Sequence, residues 1–244
     1  MTKGIFITGT GTDVGKTIVS AGLLYLLRSS GYSAVYYKAA LSGALADGNQ
    51  FIPGDTRFVS QFAGLTEAYE NMTPYVYKTA VSPHLAARLE NQPIDLTILK
   101  EKFKQLQQKY DYIVMEGSGG IACPLIDKDV PYLLHDFVKE LGLDIIIVAS
   151  AGLGTINHTL LTIKYIESLG MTIKGVIING YKKNDICADD NISTIQRLTN
   201  VPILGILPWI EEIDCDNVQF GNLREQIKQC IHIENFISCM NDIL

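Results

Sequence analysis

The sequence predicts a doubly wound α/β fold, a mostly parallel sheet with helices on both faces, in a single domain spanning residues 1–244. Three observations carry that reading. Short apolar, β-branched runs at 5–7, 111–116, 143–149 and 173–179 alternate with amphipathic stretches at helical spacing. A glycine-rich turn joins the first apolar run directly to the first helical stretch. Length and composition agree, since 244 residues that are 47% hydrophobic and 19% charged supply one domain with ample core.

The elements follow in chain order. Ile5, Phe6 and Ile7 read as a buried strand, and a helix opens at Lys16 and Thr17. Leu23, Leu24, Leu26 and Leu27 keep helical spacing until Gly31 stops it. Residues 33–38 form a second strand and 39–56 a loop, with Gly43, Gly48, Pro53 and Gly54 ahead of Asp55. A helix begins near Asp55 and stops by Gly64. Ser82 followed by Pro83 opens another, and 94–109 is a longer amphipathic one. Strand 111–116 runs into Gly117-Ser-Gly-Gly120. Helix 133–141, strand 143–149, helix 155–169, strand 173–179, helix 192–198 and strand 203–206 come next, and Pro208-Trp209 ends the series. Residues 223–244, with Ile227, Ile231, Ile237 and Leu244 apolar, read as a packed C-terminal helix, the alternative being a partner-binding or membrane-surface helix. There is no internal repeat, linker or low-complexity segment.

The first turn carries the chemistry. Gly9-Thr-Gly-Thr-Asp-Val-Gly-Lys-Thr17 sits between strand and helix, the context of a phosphate-binding loop, and makes the fold P-loop NTPase-type. Glycines let successive backbone N–H groups point at phosphate oxygens, and the helix N-terminus adds positive potential. In such a loop Lys16 reaches the β- and γ-phosphates and the Thr17 hydroxyl ligates Mg²⁺. Five residues separate Gly9 from Gly15 where the generic pattern has four, and Thr10 holds the expected glycine position. The competing reading is an ordinary strand-to-helix turn.

Composition excludes other classes. A net charge of −6 with no basic tract gives no support to nucleic-acid binding. No apolar run approaches the roughly 20 residues that span a bilayer. The N-terminus runs straight into a strand, with no signal peptide in view. The 5 cysteines are scattered, odd in number and form no Cys-x-x-Cys pair. Reduced thiols of a cytoplasmic protein are expected, and structural zinc is disfavoured.

Ligands of such sheets sit outside the carboxyl ends of the strands. Those ends deliver the phosphate loop, Lys38 followed by Ser42, Glu116 with its glycine run, and Asn179-Gly180. Each has a bland reading: Lys38 as a solvated strand end, Glu116 capping its own glycine turn, Asn179 favouring a left-handed turn. Together with Asp55 they line one edge with cations, two carboxylates and a hydroxyl, the inventory of phosphoryl transfer. His84, His158 and Cys123 are read as structural, and Tyr36 and Tyr37 as packing on their strand.

With Tyr37-Lys38, Ser42-Gly43, Asp55, Ser82-Pro-His84, Glu116-Gly-Ser-Gly-Gly120, Leu153-Gly-Thr-Ile-Asn-His158, Asn179 and Pro208-Trp209 added to the phosphate loop, the chain resembles the dethiobiotin synthetases from residue 4 to about 210. The extra loop residue is normal in that family. The resemblance implies an ATP- and Mg²⁺-dependent ligase, cytoplasmic and homodimeric, that carboxylates 7,8-diaminopelargonic acid and closes a ureido ring. It implies that Thr17, Asp55 and Glu116 hold Mg²⁺ and that Lys16 and Lys38 are catalytic. ATP would be received by Asp13, Val14, Gly15, Lys16, Thr17 and Ile18, by Asp55, and by Glu116, Gly117, Ser118 and Gly119. Adenine and ribose would meet Asn179, Gly180 and the turn Pro208, Trp209 and Ile210. The substrate would be touched by Thr12 and Ser42, and by Gly154, Thr155 and Asn157 of the second subunit. One departure stands out: Ala39 follows the strand-end lysine where the family commonly has proline, which leaves that loop less pre-organised. The runner-up is a nucleotide-switch ATPase of the plasmid-partition or septum-positioning type. Those proteins usually carry a Lys-Gly-Gly form of the loop, where this chain has Gly9-Thr10-Gly11. Amidotransferase-linked cobyrinate synthetases need a glutaminase domain for which 244 residues leave no room.

Overall fold

Strand β1 (Lys3–Gly9), buried from Gly4 onward, lies inside a seven-stranded sheet in a computed structural model that describes residues 1–48, 50–127 and 129–243. The other strands are β2 (Ala34–Lys38), β3 (Tyr112–Gly120), β4 (Ile145–Ser150), β5 (Ile173–Tyr181), β6 (Ile203–Pro208) and β7 (Asn241–Asp242). Six run parallel in the order β6-β5-β4-β1-β3-β2, and β7 pairs antiparallel with β1. β1 is flanked on one side by β3 and on the other by β4. Strand order reverses there, so the crevice for a ligand opens at the end of β1.

Period-2 alternation assigns each strand residue to a face. On β2, Tyr37 turns to helix α3 (Leu96–Gln107), where its ring meets Phe103 edge-on at 5.2 Å. Tyr36 and Lys38 turn the other way, toward α1 (Lys16–Ser29) and α2 (Gly54–Ala63). α1 covers the sheet with Val19, Ala21, Leu23, Leu24 and Leu27, all fully buried. α2 ends where expected, at Gly64 in the left-handed conformation (φ 68°), and the helix expected over 133–141 is α4 (Leu134–Glu140).

Four sequence expectations need correcting. Residues 39–56 are not a plain loop: Ala40–Ser42 pairs with Tyr75–Tyr77, and Leu45–Asp47 pairs with Gln50–Ile52. Asn49 lies outside the described residues. The glycine run after Glu116 is not a turn but the end of β3, paired as far as Gly9↔Gly120 beside the phosphate loop. The helix expected at 192–198 is α6 (Ile186–Leu198), six residues longer at its start, because the Asp185 carboxylate accepts from the N–H groups of Cys187 and Ala188. Its polar first turns hide it from an apolar-period reading.

The single C-terminal helix expected over 223–244 is three elements: α7 (Leu223–Cys230), α8 (Ile233–Ser238) and β7. Leu244, counted in that helix, lies outside the described residues. Ile231 is extended (φ −133°, ψ 121°) and buried, which stops α7. Lys3 and Gly4 of β1 precede the point where β4 begins to pair, at Phe6↔Ile145, and β7 fills that unpaired edge. A packed C-terminus was expected, and packing is what the structure shows.

Candidate active site

The phosphate loop leaves β1 and enters α1 through two residues with positive φ, Asp13 (59°) and Gly15 (93°). A Cβ on Gly15 would lie 2.0 Å from the Asn179 side chain, so glycine is required there by both φ and space. Asn179 in turn donates from Nδ2 to the Val14 carbonyl at 3.1 Å, tying the end of β5 to the loop. Lys16 folds back over the loop and donates to the Gly11 carbonyl at 2.9 Å. It is only 7% exposed. Burial lowers its pKa, and Glu116 opposes that shift.

Behind the loop stands a charged cluster. Glu116, 1% exposed, accepts at Oε1 from Thr17 Oγ1 (3.0 Å) and Lys38 Nζ (2.8 Å), and at Oε2 from the Tyr36 hydroxyl (3.0 Å). Lys38 Nζ also reaches Asp55 Oδ2 at 2.6 Å. Lys38 is therefore a buried bridge between two acids, not a solvated strand end, and Glu116 does not cap its glycine run. Burial works against the charge on Lys38, yet Asp55 and Glu116 hold its pKa above the ordinary lysine value. Burial likewise raises Asp55, and the lysine outweighs it, leaving that carboxyl below its usual range. Burial first, then Glu116, pushes Tyr36 well above the ordinary phenol value, so it stays a donor.

A cleft of about 840 Å³ opens over this cluster. Of the expected site residues it gathers Thr12, Asp13, Gly15, Lys16, Thr17 and Ile18 from the loop, and Lys38, Ser42, Asp55, Glu116, Ser118 and Gly119 from around it. Gly117 and Val14 lie alongside without lining it, and a Cβ on Gly117 would come 2.8 Å from the Phe6 ring. The Ser42 and Ser118 hydroxyls are engaged internally, on the carbonyls of Val81 and Ala40. Those bonds hold the segment after Lys38, with Ala39 in a buried bend, so the absent proline does not leave it unanchored. Asn179, Gly180, Pro208, Trp209 and Ile210, at the ends of β5 and β6, do not line this cleft, although Asn179 packs against the loop at Gly15. The Trp209 backbone N–H donates to the Tyr181 carbonyl at 2.7 Å, the residue is 60% exposed, and the Lys182 ammonium lies 5.0 Å over its ring.

Gly154, Thr155 and Asn157 are not brought to this cleft. Gly154 (φ 91°) precedes α5 (Thr155–Ser168), the buried Thr155 hydroxyl lies 3.4 Å from that of Thr159, and Asn157 is exposed. His158 is exposed too. Burial pushes the Cys123 thiol to about 11, which fits a small packed side chain. Among the described residues no group of three His, Cys, Asp or Glu side chains is placed to hold a metal.

Sequence reasoning missed three contributors. Tyr36 was assigned to packing, although its spacing from Lys38 already puts both on one face of β2. Cys215 and Asp216 line the cleft from the stretch beyond Trp209, where no motif was legible. The hairpin carrying them, Ile213–Asp214 against Gln219–Phe220, docks on α2 through Phe220, whose ring centre is 5.1 Å from those of both Phe58 and Phe62. Arg57 also donates to the Asp216 carbonyl. The same helix that presents Asp55 thus holds the hairpin.

The family model described as "AAA domain" matches residues 3–217. A protein of Clostridium kluyveri named ATP-dependent dethiobiotin synthetase is 54% identical over all 244 residues, covering 100% of both chains. The chain belongs to the dethiobiotin synthetase family. A second family member, from Clostridium novyi, is 54% identical over 213 residues, 87% of this chain and 90% of its own. Dethiobiotin synthetases are ATP-dependent ligases, so this chain is a nucleotide-binding enzyme of that class. Among solved structures, a plasmid partition protein of Borrelia burgdorferi superposes with a TM-score of 0.59 at 18% identity, covering 98% of each chain. At that identity the likeness supports the P-loop α/β fold alone and does not favour the partition-ATPase alternative. No described helix is long and apolar enough to cross a membrane.

Proposed function

We propose that this cytoplasmic enzyme carboxylates 7,8-diaminopelargonic acid and closes its ureido ring at the expense of ATP. The carrying observation is the cluster of Lys38, Asp55, Glu116 and Thr17 beside the phosphate loop, in a chain 54% identical to a named dethiobiotin synthetase. The reaction read here needs no nucleophile from the protein. The cluster's strength is charge placement, which suits a reaction whose bonds are made and broken between substrates.

In this reading one amine of the substrate attacks CO₂, forming a C–N bond and releasing a proton, to give a carbamate. A carbamate oxygen attacks the γ-phosphorus of ATP, and ADP leaves with the electrons of the broken bond. The second amine then attacks the carbonyl carbon of the mixed anhydride. A C–N bond forms, the C–O bond to phosphate breaks, and the amine proton is released. Lys16 and Lys38 neutralise the carbamate and the transferring phosphoryl group. To do so Lys38 exchanges one of its carboxylate partners for the substrate anion. Thr12 and Ser42 line the cleft where the diamine would bind, and Asn179 and the Trp209 turn, beyond the cleft lining, would receive adenine and ribose.

The residues also fit Mg²⁺. Asp55 and Glu116 already aim oxygens at one shared cation, the Lys38 ammonium, and the Thr17 hydroxyl lies 3.0 Å from Glu116. Two carboxylates and a hydroxyl match an ion that keeps its water and takes phosphate oxygens. When bound it would neutralise charge across the β- and γ-phosphates.

Gly154, Thr155 and Asn157 complete the reading as a homodimer. They lie away from their own chain's cleft beside Leu153, which is 92% exposed, and would reach the substrate of a second subunit.

Phosphate release from ATP tests the reading, and it should require both the diamine and bicarbonate. Lys16→Ala should lower kcat at least ~100-fold, since preorganised charge at the transferring group is worth several kcal/mol, with the far-UV spectrum retained. Diamine-independent release, or a variant within twofold of the parent, would sink it.

A further inference from the structure

Glu116 has two oxygens with different neighbours. Oε1 faces Thr17 and Lys38, both lining the cleft, whereas Oε2 accepts from the Tyr36 hydroxyl at 3.0 Å. Tyr36 does not line the cleft and is fully buried, as is the Glu116 side chain. The tyrosine therefore reaches the carboxylate from outside the cleft lining. Pairing explains how it gets there: Lys38 lies opposite Glu116 across β2 and β3, and Tyr36 is two residues earlier on the same face.

We propose that Tyr36 is a positioning residue for Glu116, its hydroxyl holding one carboxylate oxygen so that the other is presented to Thr17 and the phosphate side of the cleft. A glutamate on a strand has freedom about its last torsion, which is broad and two-fold. With Oε2 pinned, Glu116 offers a single oxygen forward in one orientation. Without the hydroxyl, that oxygen would be a buried charged acceptor lacking a partner, and the carboxylate would turn to find another. Groups that orient a metal-binding carboxylate commonly matter nearly as much as the ligand. The inference rests on the proposed role of Glu116 in holding Mg²⁺.

Tyr37 supplies the matched control. It is equally buried on the next position of β2, and its hydroxyl donates to the Leu99 carbonyl at 3.0 Å, on the opposite face of the sheet. A tyrosine that is merely core should behave the same at either position.

The experiment is ADP binding by calorimetry, in EDTA and across a Mg²⁺ titration, on the full chain and on Tyr36→Phe, Tyr37→Phe and Glu116→Gln. Tyr36→Phe should raise the Mg²⁺ concentration for half-maximal enhancement of ADP binding by ~10-fold or more, with ADP affinity in EDTA unchanged. Tyr37→Phe should shift only the melting temperature. If Tyr36→Phe titrates within twofold of the parent while Glu116→Gln does not, the positioning role is overturned and the metal assignment stands. If Glu116→Gln also titrates like the parent, the assignment of Glu116 to the metal fails with it. Loss of ADP binding in EDTA by Tyr36→Phe would overturn the proposal as well, by showing general distortion of the loop. Tyr36→Met, which has no donor, repeats the comparison should the phenylalanine variant be unstable.

Discussion

Burial lowers the pKa of Lys38, yet the carboxylates of Asp55 and Glu116 at 2.6 and 2.8 Å reverse the sign. Breaking a fully buried pair from one side costs about 3–5 kcal/mol, and the Asp55 side chain is 30% exposed. Lys38→Ala should therefore lose about 2 kcal/mol in EDTA after allowing for screening. Added Mg²⁺ should restore part of that loss in the variant and change the parent less, because a cation then replaces the ammonium. Urea unfolding with and without the metal measures both. The pH dependence follows from the directions of the shifts. Asp55 is depressed, so its contribution is full above about pH 4, the unfolded carboxylate value, and is lost as pH falls through the lower folded value. Lys38 is raised, so its contribution is full below about pH 10.4 and is lost as pH rises through the higher folded value. The parent's stabilisation by the bridge should be flat between those limits. Equal stability of parent and variant in EDTA at pH 7 would show that the bridge contributes nothing.

At the scale of elements, the C-terminal segment is tied to the sheet at close range. A Cβ added to Gly205 of β6 would meet Ile231 Cγ1 at 2.8 Å and the Cys230 carbonyl at 2.9 Å, just past the end of α7. Backbone cannot yield as a flexible side-chain tip does. Gly205→Ala should cost about 1–3 kcal/mol by overpacking, read as a lower urea midpoint with unchanged slope. A variant as stable as the parent would mean that this contact is loose. α7 also covers α1, whose Gly22 accommodates Ile227. This region, opaque in sequence, is thus part of the core, and through the 213–220 hairpin it reaches the cleft as Cys215 and Asp216.

At the scale of the whole molecule, one chain presents the cleft over the phosphate loop and leaves Gly154, Thr155 and Asn157 away from it. Exchange between two inactive variants, Lys38→Ala and Asn157→Ala, addresses this. In a mixed dimer with shared sites, one site carries both lesions and the other carries neither, so up to half of the parental activity per mixed dimer should return. Native mass spectrometry establishes that mixed dimers form. If they form and activity stays absent, each site is contained within one subunit.

The sequence by itself determined the frame of this protein. Alternating strand and helix signals, the glycine loop and the strand-end residues Lys38, Glu116 and Asn179 were legible because each depends on local periodicity or a fixed spacing. The family motifs were legible for the same reason. Tertiary structure decided what those residues do to one another. Lys38 reads as a solvated strand end until β2 pairs with β3 and sets it opposite Glu116. Tyr36 reads as packing until the same pairing brings its hydroxyl to a carboxylate 80 residues away in sequence. Cys215 and Asp216 have no pattern of their own, and only the docking of Phe220 on α2 brings them to the cleft. The end of the chain reads as one apolar helix, because spacing cannot foresee that β1 leaves an edge unpaired at Lys3 and Gly4 for β7 to fill. Local interactions write themselves into spacing; partners distant in the chain, and the charges they hold in place, do not.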